Sequence, residues 1–595
     1  MLWHCDTKVA EDTTPQPAKE KQSTVVKAGL VLEPKTNPFS LRNMRVAKQQ
    51  LGANGSSITL RSENQFIYFK LDPNTIDRVL FQSLEADTTI RLLAFPFADG
   101  AVYGDNVALD DTKAGQLADG LLYGVTGLNN PIISRLKSNS QLRTVVLDTL
   151  YKPTDAEENL HLKALETAGF MTSGEVEQLR IRFCLFKRPR GTVRYQDNSL
   201  NRLEPVVNTQ VWALAFGVPV SAYTNLAGQF EIPFWFSVGT IVGTHARNAH
   251  VNIKPLDTHG GLVQTIGQLI VNFVIGSVHI HGWVGACGMR DINIRYTAHR
   301  QNRYWAQLLN AVYYHDVYCA QADITRAPNG LVIYAQWADA GNGDFGGASA
   351  PMLGHISGIG TLAELVINDI FGGDVSLSSD FPNLFNLIMG VLPDLTFRVP
   401  QPFEPQLYSE RLAQTAFHES GHASHFMRAG NTYWINVIRA TLAGKNPSQN
   451  PYGDGNEPLA GFLAVAESWA QFIGFNFASR RYTTGRDFAS NDDILNSGQL
   501  YGMNFLIENE FYFFEDSWIP YGLYHDLMDN TNAAPNNSLE TWDRIQGVTL
   551  RQMYLAHGPN INSMCAYRGS FVGQNPALNQ VNLGDIFNLY GIVCQ

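Results

Sequence analysis

The chain has 595 residues, 45% of them hydrophobic and 16% charged, with a formal net charge of −11. That length exceeds what one hydrophobic core serves and predicts several globular domains. The acidic balance, with no long Lys/Arg run, excludes nucleic acid as a principal partner, because a phosphate backbone needs a basic surface.

None of the six cysteines lies in a C-x-x-C pair, which argues against a cysteine zinc site. Cys565 and Cys594 are spaced to close a loop in the C-terminal tail. Residues 1–28 read as a flexible tether, since the Lys-, Glu-, Thr- and Pro-rich stretch from Asp6 to Gln22 cannot bury enough surface to fold. Leu2-Trp3-His4-Cys5 resembles the end of a bacterial lipoprotein signal. The resemblance implies a lipidated Cys5 as membrane tether and a place in the bacterial cell envelope, with secretion as the alternative.

Residues 29–188 alternate strand-like and helical patterns, which predicts an N-terminal α+β domain. Ser57-Ile58-Thr59-Leu60 and Gln65-Phe66-Ile67-Tyr68-Phe69 read as strands, and Asp155 to Phe170 as a helix. No catalytic constellation appears there.

Residues 189–299 carry short strands with turn signals, the pattern of a β-sandwich: Gly191 to Tyr195, Glu204 to Val207, Gln210 to Leu214, and a turn from Thr224 into Phe230. Their order resembles bacterial transthyretin-like modules related to carboxypeptidase regulatory domains. From Gly260 to Met289 there is no Asp, Glu, Lys or Arg, a run long enough to span a bilayer. Gln264, Gln268 and Asn272 give it a polar stripe, and Gly276 and Gly282 interrupt it, so buried protein core is the expectation. His279, His281, His245 and His250 read as hydrogen-bonded structural histidines.

From about residue 300 the pattern turns helical, with runs at Tyr304 to Tyr318, Leu407 to Met427, Leu459 to Phe477 and Leu500 to Met528. The Gly-rich stretch 341–347 lacks the Gly-Lys-Ser/Thr ending of a P-loop.

His418-Glu419-Ser420-Gly421-His422 carries the chemistry. On a helix, residues four apart share a face, so both imidazoles converge on one metal. Glu419, beside the first histidine, reaches a water there and takes its proton. A catalytic zinc takes a third protein ligand. The metzincin pattern is missing, with His425 and Arg428 at its Gly and His positions. His425 points to a shifted face and is expected in a supporting or surface role. Glu467, in the apolar run Gly461 to Gln471, is the better ligand, because a lone buried carboxylate is costly unless paired or metal-bound. Ala470, Gln471 and Gly474 beside it favour close helix approach.

A glutamate on a second helix after H-E-x-x-H resembles the gluzincin metallopeptidases. His422 to Phe426, Asn431 to Trp434 and Ala466 to Trp469 also resemble an uncharacterised set of predicted zinc peptidases from Bacteroidetes-type bacteria. These resemblances imply a Zn2+-dependent peptidase domain over residues 300–595, with His418, His422 and Glu467 as ligands, Glu419 as general base and a peptide or protein substrate. Gluzincins often place Asp four residues after the glutamate; here Gln471 stands there. Tyr521 and His525 are candidates to stabilise the oxyanion, with Asp529 orienting His525 and Tyr433 a weaker alternative. Substrate would pair with an edge strand, either Ile333 to Trp337 or Ser349 to Met352. The expected fold is therefore α+β and multidomain, with a β-rich N-terminal half and a mainly helical, zincin-like catalytic C-terminal half. The competing functions are a surface adhesion or glycan-binding protein with a vestigial peptidase domain, and a zinc hydrolase of non-peptide bonds. The sequence carries no signal of oligomeric state.

Overall fold

The computed structural model describes residues 36–594, apart from 88, 99–120, 139–141, 182–185, 238, 258–272, 298–300, 340–347, 359, 371–384, 386, 402–408, 445–451, 483–517, 529–544 and 546. Within these residues the fold is α+β, β-rich in its N-terminal half and mainly helical in its C-terminal half.

The first sheet joins β1 (Gln65–Leu71), β2 (Arg91–Leu93), β3 (Leu122–Gly127) and β4 (Thr144–Tyr151) in the antiparallel order β2-β3-β1-β4. Helices α1 (Leu41–Gln50), α2 (Ala53–Ser56), α3 (Arg78–Ala86), α4 (Ile132–Ser138), α5 (Glu158–Thr167) and α6 (Ser173–Ile181) belong to this layer. The expected strand Ser57–Leu60 is a loop instead. Its first residues close the end of α2, with Ile58 N–H bonded to Gly55 O and Ser57 Oγ to Asn54 O, so the local cap outweighs β propensity.

The next unit holds two sheets. One runs β12-β10-β7-β8, from β7 (Gln210–Ala215), β8 (Val218–Tyr223), β10 (Thr240–His245) and β12 (Val278–Val284), all antiparallel. The other centres on β5 (Arg190–Asp197), with β6 (Arg202–Pro205) and β9 (Gln229–Glu231) along one edge and β13 (Ile292–Tyr296) along the other. Tyr296 of β13 meets Thr244 of β10 and the ring of His279 on β12, so the two sheets face each other. The β5–β13 pair is parallel, unlike an all-antiparallel sandwich. The polar stripe expected at Gln264, Gln268 and Asn272 lies outside the described residues. Phe273 and Val274, which follow it, are buried, and β12 succeeds them. No helix among the described residues is long and apolar enough to cross a membrane. His245 and His279 are hydrogen-bonded, to Arg91 and Asn302, as expected. His250 bonds Asn329. His281 is exposed rather than buried.

The third sheet crosses the boundary expected at 299/300. Strand β11 (Val251–Asp257) leaves the β-unit and pairs in parallel with β14 (Leu331–Asp339), which pairs in parallel with β16 (Leu395–Gln401). Parallel pairing needs a long crossover, and here the 21-residue helix α7 (Gln301–Gln321) lies between the two partners in sequence. Strand β15 (Ala348–Ser349) closes the sheet, antiparallel to β16. Beyond it come α8 (Gly360–Ile370), α9 (Ser409–Ala429), α10 (Asn431–Gly444), α11 (Ala460–Tyr482), α12 (Leu523–Met528), α13 (Leu550–Leu555), α14 (Met564–Gln574) and α15 (Gln580–Leu589). Most of the run expected at Leu500 to Met528, and the Gly-rich 341–347, fall outside the described residues. A disulfide joins Cys565 to Cys594, closing the loop their positions suggested.

Candidate metal centre

Helix α9 is anchored at its start by a polar knot. Ser409 N–H and Oγ donate to Asn198 Oδ1, and Arg303 and Gln307 of α7 donate to Ser409 Oγ. Glu410 in its first turn and Arg428 in its last complement the helix dipole. The helix stops at Gly430, whose φ of 85° suits only a residue without Cβ, and Gly430 N–H bonds Phe426 O.

Helix α11 is buried nearly all round, with Phe472, Ile473, Phe475 and Phe477 in the core, as expected of a helix without a polar face. It lies against α9 through two glycines. A Cβ on Gly474 would come within 3.1 Å of His418 Cβ, and one on Gly421 within 3.1 Å of Ile473. These contacts bring Glu467 to the two histidines.

His418 Nε2 lies 3.3 Å from Glu467 Oε2, and His422 Nε2 lies 3.4 Å from Glu467 Oε1. One ligand atom from each of the three residues falls within 4.8 Å of the others. His422 and Glu419 are each 4% exposed and Glu467 6%. Burial alone would push the Glu467 carboxyl up, but His422 and His418 reverse this and hold it well below the usual carboxylate range. Burial raises the Glu419 carboxyl, partly offset by His418 and His422. Glu467 Oε2 and Glu419 Oε2 are both buried and accept no hydrogen bond among the described residues. Two imidazole nitrogens and a carboxylate, with a buried oxygen left over, match the donor set that a divalent transition metal takes.

Around this triad the structure corrects and extends the reading. Gln471 fills the place of the expected Asp: His418 Nδ1–H donates to Gln471 Oε1 at 3.0 Å, which leaves Nε2 as the free donor atom toward Glu467. His425 is no surface residue. It is fully buried, with its ring 4.5 Å from that of His557 and 5.0 Å from that of Tyr433. Tyr433 is committed elsewhere, since its hydroxyl donates to Phe462 O. Tyr452, which sequence reasoning passed over, is brought to the carboxylates: burial first, then Glu467, Tyr521 and Glu419, raise its phenol well above the usual value, so it stays a donor. The only sequence signal for it is the Tyr452-Gly453-Asp454-Gly455 turn, with φ of 72° and 85° at its glycines. Tyr521 is buried and acts on Tyr452. His525 is half-buried on α12. Asp529 lies outside the described residues.

The edge-strand question has a structural answer. Strand β14, which contains Ile333 to Trp337, is internal to its sheet, whereas among the described residues Ser349 lies on β15 at the edge. Trp434 Nε1–H donates to Ala350 O, and the His422 ring lies 5.7 Å from that of Trp434, so the edge is tied to the triad through one indole. Among known proteins, no family model matches the chain, and no curated protein matches it.

Proposed function

We propose that this chain is a zinc-dependent metallopeptidase of the gluzincin type, with His418, His422 and Glu467 holding the metal and Glu419 acting as general base. The observation that carries this reading is the meeting of Glu467, from α11, with the two histidines of α9 at 3.3 and 3.4 Å. Bound there, zinc supplies a Lewis acid that polarises a carbonyl and brings the pKa of water toward about 7. Glu419 takes the proton of the attacking water and passes it to the leaving amine, which its raised carboxyl pKa favours. Gln471 keeps His418 in the tautomer that turns Nε2 inward. The substrate is a peptide or protein whose backbone pairs with the edge that β15 leaves unpaired among the described residues. The Tyr452 phenol, near the carboxylates, and the Tyr521 phenol, near Tyr452, are the donors for the oxyanion, with His525 as the second candidate.

The Cys565–Cys594 disulfide supports an oxidising compartment, consistent with the cell envelope or secretion. Cys5, the proposed lipid tether, lies outside the described residues. The test is bound zinc and cleavage of a mixed peptide library by wild type and Glu419→Gln. The variant should keep zinc and lose cleavage by about 10²-fold or more. A wild type without zinc sinks the proposal; zinc without peptide cleavage turns the reading to hydrolysis of another bond.

A further inference from the structure

We infer a second binding site, remote from the metal centre, in the cleft between the β-unit and α7. The geometry points to a small zwitterion, an aliphatic amino acid or dipeptide, as its ligand.

The cleft has a volume of about 290 Å³, at the lower end of the range for small-molecule pockets. One wall is a face of α7. Leu309, Val312, Asp316 and Ala320 line it at helical spacing. The neighbouring face of the same helix is turned to the metal-bearing helices: the ring of His315 lies 5.5 Å from that of Phe477 on α11, and that of Tyr318 lies 6.1 Å from Phe417 on α9. The cleft therefore opens on a different side of α7 from the metal centre. The other wall includes Asn208 and Asn248, locked together by the bond from Asn248 Nδ2 to Asn208 O.

The polar groups set the ligand's chemistry. Asp316 lines the cleft with its side chain 19% exposed, and its buried Oδ1 accepts no hydrogen bond among the described residues, lying 3.7 Å from His315 Nδ1. A largely buried carboxylate of this kind gains from a cation that meets its exposed side. Arg326, exposed, lines the same cleft and makes no ion pair among the described residues. Leu309 and Val312, both buried, give the same cleft an apolar wall. A molecule with an ammonium for Asp316, a carboxylate for Arg326 and an aliphatic body for the wall meets all three. A long peptide exceeds the volume. A simple anion leaves Asp316 unmet, and a metal ion leaves the apolar wall unused.

The inference stands on the cleft and not on the metal centre, and the test separates them. Binding of leucine and leucyl-leucine to the full chain is measured by calorimetry with 1,10-phenanthroline present, so that no metal-bound ligand contributes. One of the two should bind, and N-acetyl-leucine, which lacks the ammonium, should bind about tenfold or more weakly, as expected for loss of a charge-assisted contact. Asp316→Asn should weaken binding by a similar factor. Ala320→Trp, a change at an exposed position that fills the cleft without entering the core, should abolish it. The inference is overturned if neither probe binds at about 10 mM, the weak limit for a specific site, or if binding is unchanged in Asp316→Asn and Ala320→Trp.

Discussion

A zinc histidine needs its second ring nitrogen held, or the imidazole swings and the tautomer is lost. In the proposed site, His418 gets this from Gln471, a neutral amide rather than a carboxylate. Gln471→Ala should weaken metal affinity about 10–100-fold, the usual cost of losing such a partner, read by competitive zinc titration. Gln471→Glu should keep the acceptor and restore affinity. Equal affinity in wild type and Gln471→Ala would remove Gln471 from the site's support. Glu467→Ala takes away a donor and leaves two histidines alone. Its expected outcome is loss of stoichiometric metal after dialysis, and retained metal would strike Glu467 from the ligand set.

At the scale of elements, the site is a property of the gap between α9 and α11. A Cβ on Gly474 would lie 3.1 Å from both His418 Cβ and Gln414 O, tighter than ordinary van der Waals contact, and the neighbours it would press on are backbone and a Cβ rather than the flexible end of a side chain. Gly474→Leu should therefore push the helices apart at the metal, cost about 1–3 kcal/mol by overpacking and lower zinc occupancy together with stability. Urea unfolding and metal analysis of the same sample check both. A protein with normal stability and full occupancy would show that the close approach does not matter. The same element logic separates the two edge-strand candidates: among the described residues, β14 is paired on both sides and β15 on one.

Across the whole molecule, a buried ionic network ties the β-unit to α11, the helix that carries Glu467. Arg481 at the end of α11 pairs with Glu204 of β6, which Arg202 also bonds, and Tyr482 OH donates to Asp197 of β5. Arg481→Met should cost about 3 kcal/mol, the low end for breaking a buried pair, because Arg202 still reaches Glu204. The double variant Glu204→Leu/Arg481→Met should recover most of it in a urea titration. Nearby, burial and then the charge of Asp197 raise the Glu410 carboxyl to about 7. The folded state thus binds this proton more tightly than the unfolded chain. The resulting stability is present below about pH 4.5 and is lost as pH rises through about 7. Glu410→Gln should flatten that decline, seen as a smaller difference between unfolding midpoints at pH 5 and pH 8. An unchanged difference would mean that Glu410 does not titrate in this window.

The sequence by itself determined what rests on short spacing. The H-E-x-x-H pair needs only the helical repeat to bring His418 and His422 together, and the apolar neighbours of Glu467 are enough to make its carboxylate conspicuous. The helices that became α7, α9 and α11, and the strands β1, β5 and β7, were legible from periodicity for the same reason. Tertiary structure alone decided what depends on contacts far apart in the chain. Pairing β11 with β14 moved a strand across an expected domain boundary. The approach at Gly421 and Gly474 set how close Glu467 comes to the histidines. Tyr452 reached the carboxylates, although only a glycine turn marks it locally, and His425 was buried against His557, which no local pattern marks. Gln471 read as a departure from the template until the neighbouring helix showed its amide on His418 Nδ1. Periodicity tells which face of an element is apolar, but only the packed molecule tells which other element covers it.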